Sequence, residues 1–242
     1  MNIFLYHWII VIVCLILIGI IVFHVWTAKY NIELLEAATS PDRGTPAERD
    51  LILALLKYGI PAGAIFHDLY IKTSNRNFSQ IDLVVATKVG IIVFEVKDYS
   101  GWLFGNGNDN QWTQVLAYGD DKYRFYNPVK QNNGHITALK KQLWKEKIPF
   151  YSVIVFDGNC ELRDISCIPD KTFIVRPWNV LDVVNDIINE NENADYTDKP
   201  EIVRVLKEAV ENGRNEEIAI QHQKNIEDMR ERRGISDRPR NT

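Results

Sequence analysis

The sequence predicts an α/β fold: one mixed central sheet flanked by helices, preceded by a single N-terminal transmembrane helix. Three observations predict it. An uncharged apolar run, "IFLYHWIIVIVCLILIGIIVF", extends from Ile3 to Phe23. Runs dense in β-branched residues recur at 80–87, 89–97 and 150–158. Segments with apolar residues three and four apart lie before, between and after them, and that alternation favours helices packed on a sheet.

The 21-residue run matches the roughly 20 residues that cross a bilayer as a helix. Trp8 and Trp26 sit near its ends, where indoles favour the interface. It is too long for a signal-peptide core and has no Lys or Arg before it. Lys29 and Arg43 follow it, so the positive-inside rule places the C-terminal domain in the cytoplasm of a single-pass protein. Residues 1–26 thus read as an anchor and 27–43 as a linker.

"GTPAERDLILALLKYG" starts the first helix of the domain, with Thr45 as cap, Pro46 in the first turn, and Leu51, Ile52, Leu55 and Leu56 on one face. "GAIFHDLYI", "QIDLVVAT" and "VGIIVFEVK" read as three strands, with "SNRNFS" at 74–79 a loop. "GNGNDN", 105–110, reads as a hairpin turn between "WLF" and "QWTQVLAY". Asn127 and Pro128 open a helix to about 146, interrupted by Gly134. "FYSVIVFDG" and "TFIVRP" are further strands, and "WNVLDVVNDIIN" is an amphipathic helix. From about residue 191 the chain turns polar, with one short helix around Ile202, Val205, Leu206 and Ala209 and a charged tail.

A net charge of −4 hides a segregation. Residues 44–150 carry 13 Lys/Arg against 10 Asp/Glu, whereas 151–200 carry 4 against 10. This excludes a globally basic scaffold and leaves room for a local phosphate-facing surface. Cys14, Cys160 and Cys167 are too few for a disulfide framework or a four-ligand zinc site. No Walker lysine, H-E-x-x-H or G-x-S-x-G occurs.

The chemistry concentrates in "FEVK". Alternate residues of a strand share a face, so Glu95 and Lys97 point the same way. Asp82 interrupts the preceding strand, and a short turn between the two predicts antiparallel pairing that brings Asp82 near Glu95. Two half-buried carboxylates repel, and a divalent cation bound by oxygens compensates them. Lys97 adds a positive charge that can orient or deprotonate a water or stabilise a phosphorane-like transition state. An isolated E-x-K reads equally as a solvated salt pair; Asp82 on the neighbouring strand favours the metal site.

Taken together, "GTPAE", "QID", "FEVKDYSG", "NQW" and "YNPVKQN" resemble the nuclease-related domain (NERD) family of the PD-(D/E)xK nuclease superfamily. The resemblance covers 44 to about 143 as a motif core, within a domain spanning 44–190. It implies a restriction-endonuclease-like mixed sheet and a Mg²⁺- or Mn²⁺-dependent nuclease whose default substrate is DNA. It implies Asp82 and Glu95 as metal-binding acids, the Val96 carbonyl as a further ligand and Lys97 as the catalytic lysine. It also implies Glu48 as an acid reaching the metal directly or through water, and Gln131 as the glutamine that holds Lys97 or the scissile phosphate. Gln80 shares the face of Asp82. Tyr99, Gly101, Asn127 and Pro128 read as local architecture.

His135, one helical turn after Gln131, reads as a phosphate contact or an exposed helix histidine, and His67 as structural. Lys130, Lys140, Lys141, Lys145 and Lys147 read as a basic face for a nucleic-acid backbone or as solvated. Trp102 and Trp112 read as hairpin packing ahead of base stacking. The alternative to an enzyme is a non-catalytic, membrane-tethered module that binds nucleic acid or protein.

Overall fold

The computed structural model describes residues 2–74, 77–116, 119–144, 147–196 and 199–233. Helix α1, Asn2–Glu36, carries the apolar run. From Tyr6 to Trp26 its side chains are exposed on all sides, and it is long and apolar enough to cross a membrane. The helix does not stop at the expected linker. It continues to Glu36, and Leu34, Leu35 and then Ala38 pack into the domain core.

Helix α2, Pro46–Tyr58, begins with a reciprocal cap. Glu48 N–H donates to Thr45 Oγ1 (3.3 Å), and the Thr45 hydroxyl donates to Glu48 Oε1 (2.9 Å). The pair ties the first helical turn to its own entry. Gly59 ends the helix in the left-handed region at φ 106°, its N–H turned back to Leu55 and Leu56 carbonyls. Leu51, Ile52, Leu55 and Leu56 are buried, each contributing about 2 kcal/mol by its removal from water.

The strands are β1 (Ile65–Ser74), β2 (Asn77–Thr87), β3 (Gly90–Asp98), β4 (Gly101–Asn106), β5 (Gln111–Leu116), β6 (Asp121–Tyr126), β7 (Phe150–Asp157), β8 (Cys160–Ser166) and β9 (Thr172–Val175). They build two mixed sheets where the sequence predicts one. The larger has the order β1-β2-β3-β7-β9 and the smaller β6-β5-β4-β8. β1, β2 and β3 pair antiparallel, and β3, β7 and β9 parallel. The parallel neighbours β3 and β7 both continue into the second sheet, as the parallel neighbours β4 and β8. Gly101 (φ 76°) and Gly158 (φ 71°) lie at the two bends between sheets. The hairpin is present as β4 and β5. β6 and β8 escape sequence reading because their charged, largely exposed residues give little apolar alternation. β2 also starts earlier than expected, at Asn77, inside the presumed loop.

Helices α2 and α4 (Val180–Glu190) cover one face of the larger sheet, through Val180, Val184 and Ile187 on α4. Helices α3 (Pro128–Gln142) and α5 (Lys199–Arg214) cover the other. Helix α5 places Ile202, Leu206 and Ala209 in that core, and α6 (Glu216–Arg233) follows it. The second sheet packs Leu103, Trp112 and Phe125 against Val129, Ile154 and Phe156. Asn127, fully buried, joins this layer to α3. Its Oδ1 accepts from Val129 N–H, and its Nδ2 donates to the carbonyls of Asn106, Gly107 and Asp109. One side chain therefore caps a helix and clasps the β4–β5 turn. Lys145 and residues 234–242 of the charged tail lie outside the described residues.

Two glycines give opposite expectations. A methyl at Gly134, on the exposed side of α3, would meet nothing. Gly134→Ala should stabilise the fold by roughly 0.5–1 kcal/mol, read as a higher melting temperature. At Gly44 (φ +71°) a methyl would collide with the His67 ring and the Glu48 carboxylate. Gly44→Ala should destabilise by about 1–3 kcal/mol; a melting temperature equal to the parent's would show that these neighbours yield freely.

Candidate active site

The site forms where two strands part. β2 and β3 pair from Thr87↔Gly90 to Leu83↔Phe94 and no farther. The next link between them is made by a side chain: Val96 N–H donates to Asp82 Oδ2 at 2.8 Å. Alternation puts Ile91 and Val93 on the α3 side of β3, with Glu95 and Lys97 next in that row. Ile92 and Phe94 anchor the opposite side beneath α2 and α4. The apolar half of β3 thus fixes the charged half.

Glu95 is 1 % exposed. Lys97 Nζ lies 2.5 Å from its Oε1, and His135 Nε2 lies 3.1 Å from its Oε2. His135 comes from α3, and its Nδ1 stands 2.8 Å from Ser79 Oγ of β2. Burial alone would raise the Glu95 carboxyl, but the Lys97 charge and the His135 hydrogen bond hold it below its ordinary value. Asp82 behaves oppositely. Burial, and then the Glu95 charge, push its carboxyl well above the ordinary range against the pull of Lys97. Burial disfavours the Lys97 ammonium, but Glu95 and Asp82 outweigh it and raise its pKa. Lys97 therefore stays protonated at neutral pH.

The two carboxylates suit a hard divalent cation. Glu95 Oε1 is buried and has no directed hydrogen bond among the described residues, only the Lys97 ion pair. Among the described residues no group of three His, Cys, Asp or Glu side chains converges. Mg²⁺ commonly takes only one or two carboxylates and keeps several waters, so this donor set fits it.

Glu48 is held from α2 and β1. Its Oε1 accepts from Thr45, and its Oε2 lies 2.9 Å from His67 Nε2, whose Nδ1 lies 2.6 Å from Thr39 Oγ1. These partners outweigh burial and depress its pKa. Its charge nonetheless contributes to raising Asp82. Gln131 is half-buried on α3, one turn before His135, and no hydrogen bond joins its amide to Lys97 among the described residues. Gln80 turns toward β1, donating to Asp68 Oδ1 at 2.8 Å. Asp68 itself has φ 54° and is gripped by the Arg43 guanidinium.

Of the remaining sequence candidates, Trp112 is buried and stacks on Phe156, and Trp102 lies under the Arg163 guanidinium. Lys130 binds Asn110 Oδ1, Lys140 lies over Phe150, and Lys141 and Lys147 are exposed. The three cysteines are free. Sequence reasoning left the Glu95 partner His135 among the lesser candidates. Its spacing from Gln131 was the available signal, because it put both on the helix face turned to the sheet.

Residues 43–157 match the family described as nuclease-related domain, a span that runs from Arg43 before α2 to the end of β7. An uncharacterised protein of Bacillus anthracis is 29 % identical over 124 residues, which are 51 % of this chain and 57 % of that protein. The chain therefore spans little more than half the length of this relative. No solved structure matches significantly. The family match lies over the strands that carry Asp82, Glu95 and Lys97, and the nuclease-related domain family it matches belongs to the PD-(D/E)xK-like nuclease superfamily.

Proposed function

We propose that this chain is a membrane-anchored, metal-dependent nuclease that hydrolyses phosphodiester bonds of DNA. The observation that carries this reading is the pair of carboxylates, Asp82 and Glu95, set where β2 and β3 separate, with the Lys97 ammonium against Glu95. Asp82, Glu95 and the Val96 carbonyl would hold Mg²⁺ or Mn²⁺. When bound, such a cation supplies a Lewis acid for the phosphoryl oxygen and lowers the pKa of a coordinated water.

The chain's own groups do the rest. Lys97 is protonated in the cation-free site, where Glu95 and Asp82 raise its pKa. It serves as a fixed positive charge that holds a phosphoryl oxygen and stabilises the charge growing there as water bonds to phosphorus, giving its proton to solvent, while the bond to the bridging oxygen breaks and that oxygen takes a proton from solvent. Its side chain is 21 % exposed, so it can meet a substrate that Glu95 beneath it cannot. Glu48 fixes α2 to β1 through His67, adds negative potential at Asp82, and would reach the cation directly or through water. Gln131, half-buried on α3 one turn before His135, would hold the scissile phosphate.

Cleavage of duplex or single-stranded DNA by the full chain in detergent should require Mg²⁺ or Mn²⁺ and stop with chelator. Lys97→Ala should lower kcat by about 10²–10³-fold, the usual cost of losing one charge-stabilising donor. Asp82→Asn should abolish cleavage. Variants that cut like the parent would overturn the assignment and favour a binding module.

Asp82→Asn should also stabilise the cation-free protein at neutral pH. The folded state raises the Asp82 pKa, so it holds that proton more tightly than the unfolded chain does. Its contribution to stability therefore falls as pH rises above the ordinary carboxylate value of about 3.9. The melting-temperature gap between Asp82→Asn and parent should widen with pH through that window and close below it. A gap independent of pH would show that the Asp82 charge is not the cause.

The anchor makes a separate prediction. The full chain should stay with membranes through an alkaline carbonate wash, and release of the intact chain would remove α1 as a span.

A further inference from the structure

We propose that His135, braced by Ser79, is the positioning residue that sets the spacing between the Glu95 and Asp82 carboxylates and thereby the affinity of the site for its cation. This rests on the reading of those two acids as cation ligands.

Hydrogen-bond capacity decides which ring nitrogen carries the proton. An ionised carboxylate only accepts, so the His135 nitrogen facing Glu95 Oε2 must carry the hydrogen. The other ring nitrogen faces Ser79 Oγ, whose hydroxyl can donate or accept. The ring is nearly buried, 6 % exposed, and both of its polar atoms are matched.

Position gives the contact its meaning. Ser79 belongs to β2, three residues before Asp82, and Glu95 belongs to β3, one residue beyond the last paired position. The imidazole therefore spans the gap where the backbone ladder has ended. On the other side of that gap, Asp82 reaches β3 through Val96 N–H. Two side-chain links, Asp82 from β2 and His135 from α3, replace the missing ladder. The His135 link fixes where the Glu95 oxygens point, and Lys97 restrains only Oε1. Partners that orient a ligand in this way typically govern 10–100-fold of metal affinity.

The test is calorimetric titration of Mn²⁺ into the full chain in detergent micelles, with thermal unfolding recorded without cation for every variant. His135→Ala should bind Mn²⁺ about 10–100-fold more weakly than the parent. His135→Gln, whose amide nitrogen can donate from the place of Nε2, should recover most of that affinity. Ser79→Ala should give a smaller loss with an unfolding curve close to the parent's. If His135→Ala does not fold, Ser79→Ala and His135→Gln still decide the matter. Equal Mn²⁺ affinity in Ser79→Ala and parent would overturn the proposal, as would a His135→Gln variant that is as stable as the parent yet binds no better than His135→Ala or not at all. A parent that binds no Mn²⁺ overturns the cation reading itself, and this proposal with it. Tight binding in the parent that every variant keeps overturns the His135 role alone.

Discussion

Where β2 and β3 part, the hydrogen bond from Val96 N–H to Asp82 Oδ2 takes over from the backbone ladder, and the candidate site depends on that substitution. A sheet that stayed paired would have no room between its strands for a third group. A sheet that split with nothing in the ladder's place would leave a half-buried amide without a partner, at a cost of about 1–3 kcal/mol. Asp82 meets that demand and at the same time brings a carboxylate to the opening. The bond thus couples strand geometry to the charge of the site.

That charge is kept against the interests of the fold. Glu95 is nearly inaccessible to solvent, and Asp82 is raised by its own burial and then by the Glu95 charge, so the two acids oppose each other without a cation. Lys97 and His135 relieve Glu95 and leave Asp82 with the remaining strain. Around them the structure spends rigid parts: apolar β3 residues on both faces, the Asn127 clasp, and the capped start of α2. A site that stores repulsion needs such a frame, because a looser one would let the acids drift apart.

Much of this was legible in the sequence for simple reasons. β3 could be read because Ile91 to Phe94 are apolar and Glu95 and Lys97 then break the run on one face. Helix α2 could be read because Thr45, Pro46 and Glu48 are start signals that act locally. What could not be read depends on distance along the chain. His67 and Glu48 are 19 residues apart and His135 and Glu95 are 40 apart, and no periodicity links such pairs. The second sheet was missed because β6 and β8 are built from polar residues whose strand state comes from pairing rather than from their own pattern. The linker was misjudged for a related reason. Residues 27–36 look like a tether by composition, but Leu34 and Leu35 find a core to pack on.

That last feature has a mechanical consequence. From Phe23 to Glu36 the helix adds about 20 Å at 1.5 Å per residue and then seats itself against α2. The connection is a rod with its end set into the domain, with no swivel along it. The strand ends that carry Asp82 and Glu95 are therefore linked to the axis of α1 through packed structure. A domain on a rope sweeps a volume, whereas this one faces a single direction. Whatever tilts the helix also turns the strands packed against its end.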